Sequence, residues 1–345
     1  MRWFLGLLLV VALVLGALYA VGRFLLPNAL EITRTVSIER PRAAVFAMAN
    51  DLRIAKEWSP YYARDPDADY TFTGEAGPGQ TMRWASNVRE VGSGRMSIVD
   101  SVNNEEIDSI LQMGDRATLS AHMLLRPAEG GSSVAWTVSA ECSAGWINVP
   151  CRYMNLIMRG LVEGELDSGL ARLKTLAEQL PDVDFEGLNP QFDTIEPQMF
   201  VYSVVETAVD NQAEVDRAEA QGVDQVRRFM SEYSLTEAGP LVRVVTDFDA
   251  ERGRMSFRVG FPFAGPTPLS VVGVQLGETP SGNSMHVMVE GTRENVRAAY
   301  LQMNAYMQAH RIAGREGGLP WEIVHAPGSA DGTVQARIEI YMPLE

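Results

Sequence analysis

The sequence has little cysteine, little histidine and no excess of basic residues, and each shortage excludes a class of protein. Two cysteines and four histidines among 345 residues form none of the ligand patterns that hold zinc. The chain also has no G-x-x-x-x-G-K-[ST] loop, no G-x-S-x-G turn and no H-E-x-x-H helix, which serve phosphate binding, serine hydrolysis and zinc hydrolysis. We therefore expect neither a metal nor a cofactor.

The charge balance argues against nucleic acid as a partner. The chain has 29 basic and 44 acidic residues, a formal net charge of -15. Such a charge repels a phosphate backbone unless a local basic stripe offsets it, and we find no such stripe. The sequence also has no helix-turn-helix segment with a basic recognition helix. We predict that the protein binds no nucleic acid.

The composition is that of a folded protein. Hydrophobic residues make up 46% of the chain and charged residues 21%, whereas disordered chains are poorer in apolar side chains. A length of 345 residues suits two domains and an appendage.

The two cysteines, Cys142 and Cys151, match the general tendency of cysteine to be buried as a free thiol. A disulfide between them is the alternative, and it requires an oxidising compartment.

The N-terminus is almost wholly apolar from Trp3 to Leu26. These 24 residues, at about 1.5 Å each, are long enough for a helix to cross a hydrocarbon core of about 30 Å. A cleavable signal sequence is the alternative, but it has a shorter apolar region and a small-x-small cleavage site. Leu18 occupies one of the small-residue positions of the nearest candidate site. We predict that residues 1–27 form a single-pass transmembrane anchor, with the membrane as a partner.

The basic residues beside this segment leave its orientation open. A very short N-terminal tail is easily left in the cytoplasm, which would place the soluble domains in the periplasm or otherwise outside the cytoplasm, and we favour this arrangement. The positive-inside rule favours the opposite one, because one arginine precedes the segment and four lie at its end or beyond: Arg2, then Arg23, Arg34, Arg40 and Arg42.

Residues 30–180 show the pattern of an α+β domain. A strand over residues 31–39 is followed by two short helices that reach Trp58. Six short strand-like runs separated by glycine turns then predict an antiparallel meander. A final helix over residues 149–180 carries an apolar stripe of helical period that consists of Leu156, Ile157, Leu161, Leu166, Leu170, Leu173 and Leu176.

This segment resembles the START-like polyketide cyclase/dehydrase group of the SRPBCC superfamily. The resemblance is carried by VSIERPRAAVFAMANDLRIAKEWSPYYARDPDADYTFTG, GPGQTMRWASN, GSGRMSIVD and the terminal GLARLKTLAE. It implies a helix-grip fold, in which a curved sheet wraps around the long helix and leaves an apolar cavity between them. Four residues are candidates for lining this cavity, although aromatic and methionine residues on strands also serve as plain core: Trp58, Trp84, Trp136 and Met82. His122 has no evident orienting partner for acid–base catalysis.

An acidic, proline-containing segment separates this domain from the next. Residues 181–197 contain three prolines, five acidic residues and no basic ones, a composition that resists both helix and central strand. We predict a linker here.

Residues 198–345 then show a β-α-β-β order that occurs twice, with a period of about 80 residues. The repeat predicts two copies that pair around a pseudo-two-fold groove.

The second domain resembles the GyrI-like small-molecule-binding domain, which is also the effector-binding domain of AraC-type regulators. The matching segments are EPQMFVYSVVET, GPLVRVVTDFD and GLPWEIVHAP. The resemblance implies that Glu322 faces a groove that binds cationic amphiphiles, and that in hydrolase branches this glutamate takes part in catalysis. A carboxylate in an apolar cleft attracts an organic cation, and aromatic faces add to that attraction.

The same resemblance implies which aromatic residues surround this glutamate. Tyr202 and Tyr341 are weaker candidates, for which a core position is at least as good an interpretation. One departure is that Val289 stands where the family often has a histidine, which puts a hydrolase-type role in doubt. The full set of candidate aromatic ligands is Trp321, Tyr300, Tyr202 and Tyr341.

Together these features predict a membrane-anchored protein that binds or sequesters a hydrophobic or cationic small molecule. One alternative is an enzyme, either a GyrI-like hydrolase that uses Glu322 or a cyclase in the first domain. An enzyme would need a second titratable or hydrogen-bonding group beside the reacting atom. A protein-interaction or inhibitor module is the other alternative, and a large exposed apolar patch would support it.

Overall fold

The structure is a computed structural model of the chain that describes residues 2–114, 117–142, 148–208, 211–249, 252–268, 271–327 and 335–345. The chain divides into two compact units, Met1–Glu186 and Gly187–Glu345. Each unit contains an antiparallel sheet with helices, so both are α+β. The boundary between the units lies inside the predicted linker.

The first unit contains the apolar N-terminal helix, four further helices and a seven-stranded sheet. Its strands pair in the order β1-β7-β6-β5-β4-β3-β2. Strands β2 to β7 form the meander predicted from the turn residues, and β1 pairs with β7 at the edge of the sheet. The helices are α1 (Arg2–Phe24), α2 (Arg42–Ala49), α3 (Leu52–Trp58), α4 (Pro60–Arg64) and α5 (Val149–Ala177). The strands are β1 (Ala29–Ile38), β2 (Asp69–Thr73), β3 (Thr81–Ala85), β4 (Ser93–Val102), β5 (Glu106–Met113), β6 (Ala117–Ala128) and β7 (Gly131–Glu141).

Helix α4 was not predicted from the sequence, although its start signals are present. Proline at the first helical position suits a helix start, because the missing N–H would have had no partner there. Ser59 caps α4, since its side chain accepts a hydrogen bond of 3.3 Å from the backbone of Tyr61. The helix is only five residues long, too short to show an apolar periodicity. Its importance is positional, because it lies at the cavity described below.

The long helix α5 is buried along only part of its length. Leu166, Leu170 and Leu173 follow one another at helical spacing and are buried in the unit. Leu156, Ile157 and Leu161 belong to the same predicted apolar stripe but are exposed. The apolar stripe is therefore buried in the second half of α5 and exposed in the first half, where Arg152 and Tyr153 contact α1.

Cys142 and Cys151 form a disulfide. The expectation of two buried free thiols was therefore wrong, and the alternative is the observed state. Sequence spacing alone does not distinguish the two, because a disulfide depends on how closely the two backbones approach. The bond joins the end of β7 to the first turn of α5.

The second unit is one nine-stranded sheet with two helices. Its strands pair in the order β13-β9-β12-β11-β15-β16-β14-β8, with β10 paired to β12. The helices are α6 (Gln212–Glu232) and α7 (Arg293–Ala309). The strands are β8 (Gln191–Ile195), β9 (Met199–Ala208), β10 (Thr236–Glu237), β11 (Leu241–Asp249), β12 (Arg254–Ala264), β13 (Gln275–Glu278), β14 (Gly282–Gly291), β15 (Trp321–Ala326) and β16 (Ala336–Pro343).

The strand order reflects the repeat found in the sequence. Each copy contributes a strand, a helix and two further strands: β9-α6-β11-β12 in the first and β14-α7-β15-β16 in the second. In the sheet the first copy runs β9-β12-β11 and the second runs β15-β16-β14, so equivalent strands β11 and β15 meet at the centre. This arrangement is pseudo-two-fold. Strand β8 lies inside the predicted linker, at the edge of the sheet, where it pairs on one side only.

Candidate functional site

An apolar cavity lies in the first unit between α3, α4, α5 and the sheet. It encloses about 850 Å³, a volume that includes its open mouth. Concave sites lined mainly by apolar side chains, with a few polar groups among them, are typical of small-molecule sites. The lining residues are Ala55, Trp58, Ser59, Pro60, Tyr61, Tyr70, Met82, Trp84, Met96, Leu111, Leu119, Ala121, Trp136, Val138, Val162, Glu165 and Leu166.

Trp58 and Trp84, predicted from the sequence, both line this cavity. The indole N–H of Trp58 donates to the backbone carbonyl of Met48 at 3.2 Å, and that of Trp84 donates to Val91 at 3.4 Å. Both side chains are almost fully buried. Because backbone carbonyls already satisfy their polar atoms, the two indoles contribute apolar ring surface to the cavity.

Two further aromatic contacts define the wall around these indoles. Trp136 meets Trp58 edge to face, with ring centroids 5.3 Å apart. Tyr61 stacks on Trp84 with ring centroids 6.0 Å apart. Helix α5 passes close to this wall because Gly169 has no side chain, and a Cβ atom there would lie 2.9 Å from the Trp136 ring. Trp136 and Met82 were cavity candidates from the sequence and also lie in the lining, whereas sequence reasoning missed Tyr61, because its contact depends on how the helices pack on the sheet.

Two polar atoms in the lining are buried and have no hydrogen-bond partner within the protein, namely Tyr70 Oη and Glu165 Oε2. The other carboxylate oxygen of Glu165, Oε1, accepts a hydrogen bond of 2.6 Å from Arg64. Burial raises the pKa of Tyr70 above its usual value, so its hydroxyl is neutral and available as donor or acceptor. Buried polar atoms are normally paired, so each of these two atoms is a candidate for a hydrogen bond with a bound polar group.

His122 lies on the sheet away from this lining. Its ring Nδ1 is 2.8 Å from Asp108 Oδ1, and both side chains are half-buried. An imidazole–carboxylate pair of this kind is a surface ion pair when the histidine is protonated, which contributes little to stability. The cavity lining therefore contains no histidine.

In the second unit, Glu322 lies in a buried cluster of charges. Arg243 donates one hydrogen bond to Glu322 and another, of 2.5 Å, to Glu219. The Tyr300 hydroxyl donates to the second oxygen of Glu322 at 3.0 Å. Burial alone would lower the pKa of Arg243, but the charges of Glu322 and Glu219 outweigh it and raise that pKa. For Tyr300, burial and the Glu322 charge both raise the pKa. Arg243 thus already supplies the cation that the Glu322 carboxylate needs.

The structure separates the other aromatic candidates from Glu322. Trp321 and Tyr341 stack with ring centroids 4.8 Å apart, and both belong to one buried cluster that also contains Tyr202. Neighbouring residues of a strand point to opposite faces of a sheet, so Trp321 and Glu322 face opposite sides. Of the four aromatic candidates, Tyr300 is the one hydrogen-bonded to Glu322. A ligand-binding role for these residues stays a prediction.

A histidine–carboxylate network at one edge of the second sheet was not predicted as a unit. His286 lies between Glu339 and Asp193, 2.9 Å from each carboxylate, and His325 is 3.2 Å from the other oxygen of Glu339. Burial opposes ionisation of Glu339, but hydrogen bonds from His325, Tyr341 and His286 prevail and lower its pKa. These residues are far apart in sequence, so only the strand pairing brings them together.

The comparisons with known proteins concern the first unit. Residues 29–178 match the family of polyketide cyclases / dehydrases and lipid transport proteins. This match covers less than half of the chain and supports a polyketide cyclase/dehydrase-like domain of the SRPBCC type at these residues. The match confirms the resemblance inferred from the sequence for this unit. The chain has no match among curated proteins.

Three solved structures are each similar to less than half of the chain. An uncharacterised protein from Rhizobium leguminosarum is 16% identical, with a TM-score of 0.34, over 44% of this chain and 95% of its own. A protein of unknown function from Staphylococcus aureus is 11% identical, with a TM-score of 0.35, over 44% and 97%. The di-domain ARO/CYC StfQ from the steffimycin biosynthetic pathway is 13% identical, with a TM-score of 0.34, over 44% and 51%. At these values the similarity identifies no ligand.

Helix α1 is the remaining candidate element. Residues Trp3–Phe24 are long and apolar enough to cross a membrane, a property that anchors share with signal sequences.

Among the residues that the structure describes, no group of histidine, cysteine, aspartate and glutamate side chains has the arrangement of a metal site.

Proposed function

We propose that this protein is a membrane-anchored binding protein whose first unit holds a hydrophobic small molecule that carries a hydrogen-bond donor. The apolar cavity is the observation that carries this proposal. Its walls are mostly aromatic and aliphatic side chains, and the indole N–H groups of Trp58 and Trp84 donate to backbone carbonyls. An apolar ligand would therefore bury its surface against these walls, at about 25 cal/mol per Å² of apolar area removed from water.

The polar atoms of the cavity specify the chemistry of the ligand further. Glu165 Oε2 accepts hydrogen bonds only, and Tyr70 Oη can donate or accept. The guanidinium of Arg64, paired with Glu165, balances the carboxylate charge, so a neutral donor such as a hydroxyl is sufficient to bind there. A hydrogen bond to a charged acceptor contributes about 1.5–3 kcal/mol. A long-chain alcohol satisfies both requirements, whereas a plain alkane satisfies only the first.

Helix α1 acts as an uncleaved anchor in this proposal. Arg152 of α5 is buried and donates to the carbonyls of Arg23 and Leu26 at the end of α1, each at 2.9 Å. The last carbonyls of a helix have no partners within the helix, so α5 completes the end of α1. Cleavage of α1 as a signal sequence would leave the buried Arg152 without these acceptors, which supports retention of the helix.

The disulfide supports an extracytoplasmic position for both soluble units. Disulfides persist in the periplasm and outside the cell and are rare in the cytoplasm, where thiols are kept reduced. Cys142 and Cys151 are bonded to each other, and they are the two cysteines of the chain. This agrees with insertion of the N-terminal helix with its short tail in the cytoplasm.

An enzymatic function in this cavity has less support. Acid–base catalysis requires a titratable group beside the reacting atom and usually a partner that orients it. Glu165 is the one carboxylate among the lining residues, and Arg64 already pairs with it. Burial raises the pKa of Tyr61 and Tyr70, which disfavours either phenol as a base. Binding is the function that this arrangement supports best.

Photo-crosslinking tests the proposal with the full chain in lipid nanodiscs. A diazirine-bearing long-chain alcohol and the matching alkane are the probes, and mass spectrometry of the peptides locates the label. Ala121→Phe fills the cavity from β6, and Ser120→Phe places the same ring on the exposed side of that strand. We expect the alcohol to label cavity peptides in the wild type and in Ser120→Phe, and to lose this labelling in Ala121→Phe.

Glu165→Gln tests the polar part of the proposal. The amide retains an oxygen for Arg64 but loses carboxylate charge, so the alcohol should bind about 10- to 100-fold more weakly while the alkane is unaffected. Equal labelling of cavity peptides in the wild type and Ala121→Phe would contradict binding in the cavity. Equal loss of alcohol and alkane in Glu165→Gln would contradict the hydrogen-bond assignment alone.

A further inference from the structure

The first half of α5 has an exposed apolar face that the core does not explain. Met154, Ile157 and Leu161 are 56%, 73% and 55% exposed, and they recur at the i, i+3 and i+7 spacing of one helix face. Asn155, Arg159 and Glu163 lie on a different side of the helix. Monomeric soluble proteins rarely expose such contiguous apolar surface unless it contacts something.

This half of α5 is fixed beside the end of α1. The hydroxyl of Tyr153 donates to the carbonyl of Leu18 at 2.8 Å. Gly22 permits this approach, since a Cβ atom there would lie 2.4 Å from the Val149 side chain and 2.7 Å from the Tyr153 ring. Together with the Arg152 hydrogen bonds to Arg23 and Leu26, these contacts hold the two helices in a defined arrangement.

The contact at Leu18 sets the depth of α5 relative to the span. Leu18 lies six residues before Phe24, the last residue of α1, which is about 9 Å along a helix axis at about 1.5 Å per residue. When α1 spans the bilayer, the beginning of α5 therefore lies beside the part of α1 that passes through the membrane interface. Tyrosine is enriched at this level because its ring is apolar and its hydroxyl is polar.

The exposed face of α5 also leads to the cavity. Glu165 follows Leu161 by four residues, so it lies on the same face one turn further along. Glu165, Val162 and Leu166 line the cavity. The apolar face thus ends where the cavity begins.

We propose that the first half of α5 lies in the interface of the bilayer, with Met154, Ile157 and Leu161 against lipid, so that a hydrophobic ligand enters the cavity directly from the membrane. The occupant of this face is the lipid bilayer, because Ile157 follows Tyr153 by four residues and so lies next to it on the helix surface, and Tyr153 contacts the apolar helix α1 at Leu18. This inference rests on the proposed anchoring by α1. An amphipathic helix is stabilised in this position by burying its apolar face at the boundary of headgroups and acyl chains.

Environment-sensitive labelling of the full chain in phosphatidylcholine/phosphatidylglycerol vesicles tests this inference. A nitrobenzoxadiazole group is attached to Ile157→Cys or, as a control, to Thr175→Cys, without reductant so that the disulfide remains intact. Thr175 is exposed on α5, 18 residues further on, about 27 Å along the helix. We expect the emission at position 157 to shift to shorter wavelength and to be lost when the lipids carry nitroxides, while iodide in the aqueous phase quenches the control.

The other outcomes separate the two proposals. If alkaline carbonate extracts the full chain from the vesicles, the anchoring is wrong and this inference fails with it. If the chain stays in the vesicles but iodide quenches position 157 as it does position 175, only the bilayer contact of α5 is wrong. If the emission at position 157 shifts without quenching by nitroxide lipids, protein covers this face, as in an association of two copies, and the inference is overturned.

Discussion

Replacing Arg243 with methionine removes the one cation from the buried charge cluster of the second unit. In the wild type this guanidinium donates to both Glu322 and Glu219, and all three side chains are mostly buried. Methionine has a similar length but no charge and no donor. The variant would leave two carboxylates facing each other in a site of low dielectric, with Tyr300 as the remaining donor to Glu322.

The expected cost follows from the loss of both ion pairs. Breaking a buried ion pair by removing one partner costs about 3–5 kcal/mol, because the charge that remains has lost its compensation. Since about 1.4 kcal/mol corresponds to a tenfold change in an equilibrium constant, opening of the central strands should become roughly 10²- to 10³-fold more frequent. The double variant Arg243→Met/Glu322→Gln should recover part of this loss, since it removes one of the uncompensated charges.

Native-state hydrogen exchange of the full chain measures this effect locally. Amides of β11 and β15, the two central strands that contain Arg243 and Glu322, report the free energy of local opening. Arg254→Met is the matched control on β12, because Arg254 pairs with an exposed Glu206 and such surface pairs contribute about 0–1 kcal/mol. If exchange in Arg243→Met is no faster than in Arg254→Met, the cluster does not stabilise the sheet.

Two further predictions concern particular side chains. Gly169→Ala should destabilise the first unit by about 1–3 kcal/mol through overpacking against the Trp136 ring. Gly164→Ala on the same helix is the control: a Cβ atom there meets nothing within 4 Å, so the substitution should stabilise the unit by about 0.5–1 kcal/mol. A fall in the stability of both variants in thermal unfolding would contradict this account. Because the pKa of Glu339 is lowered in the folded state, its contribution to stability is present above its unfolded pKa of about 4.3 and is lost as the pH falls through the lower folded value. Glu339→Gln should therefore show a shallower acid-induced loss of exchange protection in β16 than the wild type, and equal slopes would refute the assignment.

Much of the architecture follows from local patterns in the sequence. Strand alternation, glycine turns and helical periodicity predicted the strands and the long helix of the first unit, because each pattern reflects which face of an element is buried. The repeat in the second unit predicted the two copies that meet at β11 and β15. The short helix α4 and the edge strand β8 escaped this reasoning, because five residues are too few to establish a period.

The candidate sites were predictable only in part. Trp58 and Trp84 were cavity candidates and line the cavity, whereas their role toward a ligand stays a prediction. Glu165 and Tyr70 gave no signal in the sequence, where a single carboxylate on a helix and a tyrosine on a strand are ordinary features. Their significance is that each retains a buried atom without a partner, which depends on every neighbour at once.

The sequence by itself determined the apolar N-terminal helix, the two soluble units and the kind of surface that each element buries, since these depend on the composition and spacing of neighbouring residues. Only the tertiary structure decided which charges compensate one another. The pairing of Arg243 with Glu322 spans 79 residues, and the bond between Cys142 and Cys151 depends on where β7 ends relative to α5. Pairing energies fall off over a few ångströms, so they are set by the folded geometry and not by position in the chain.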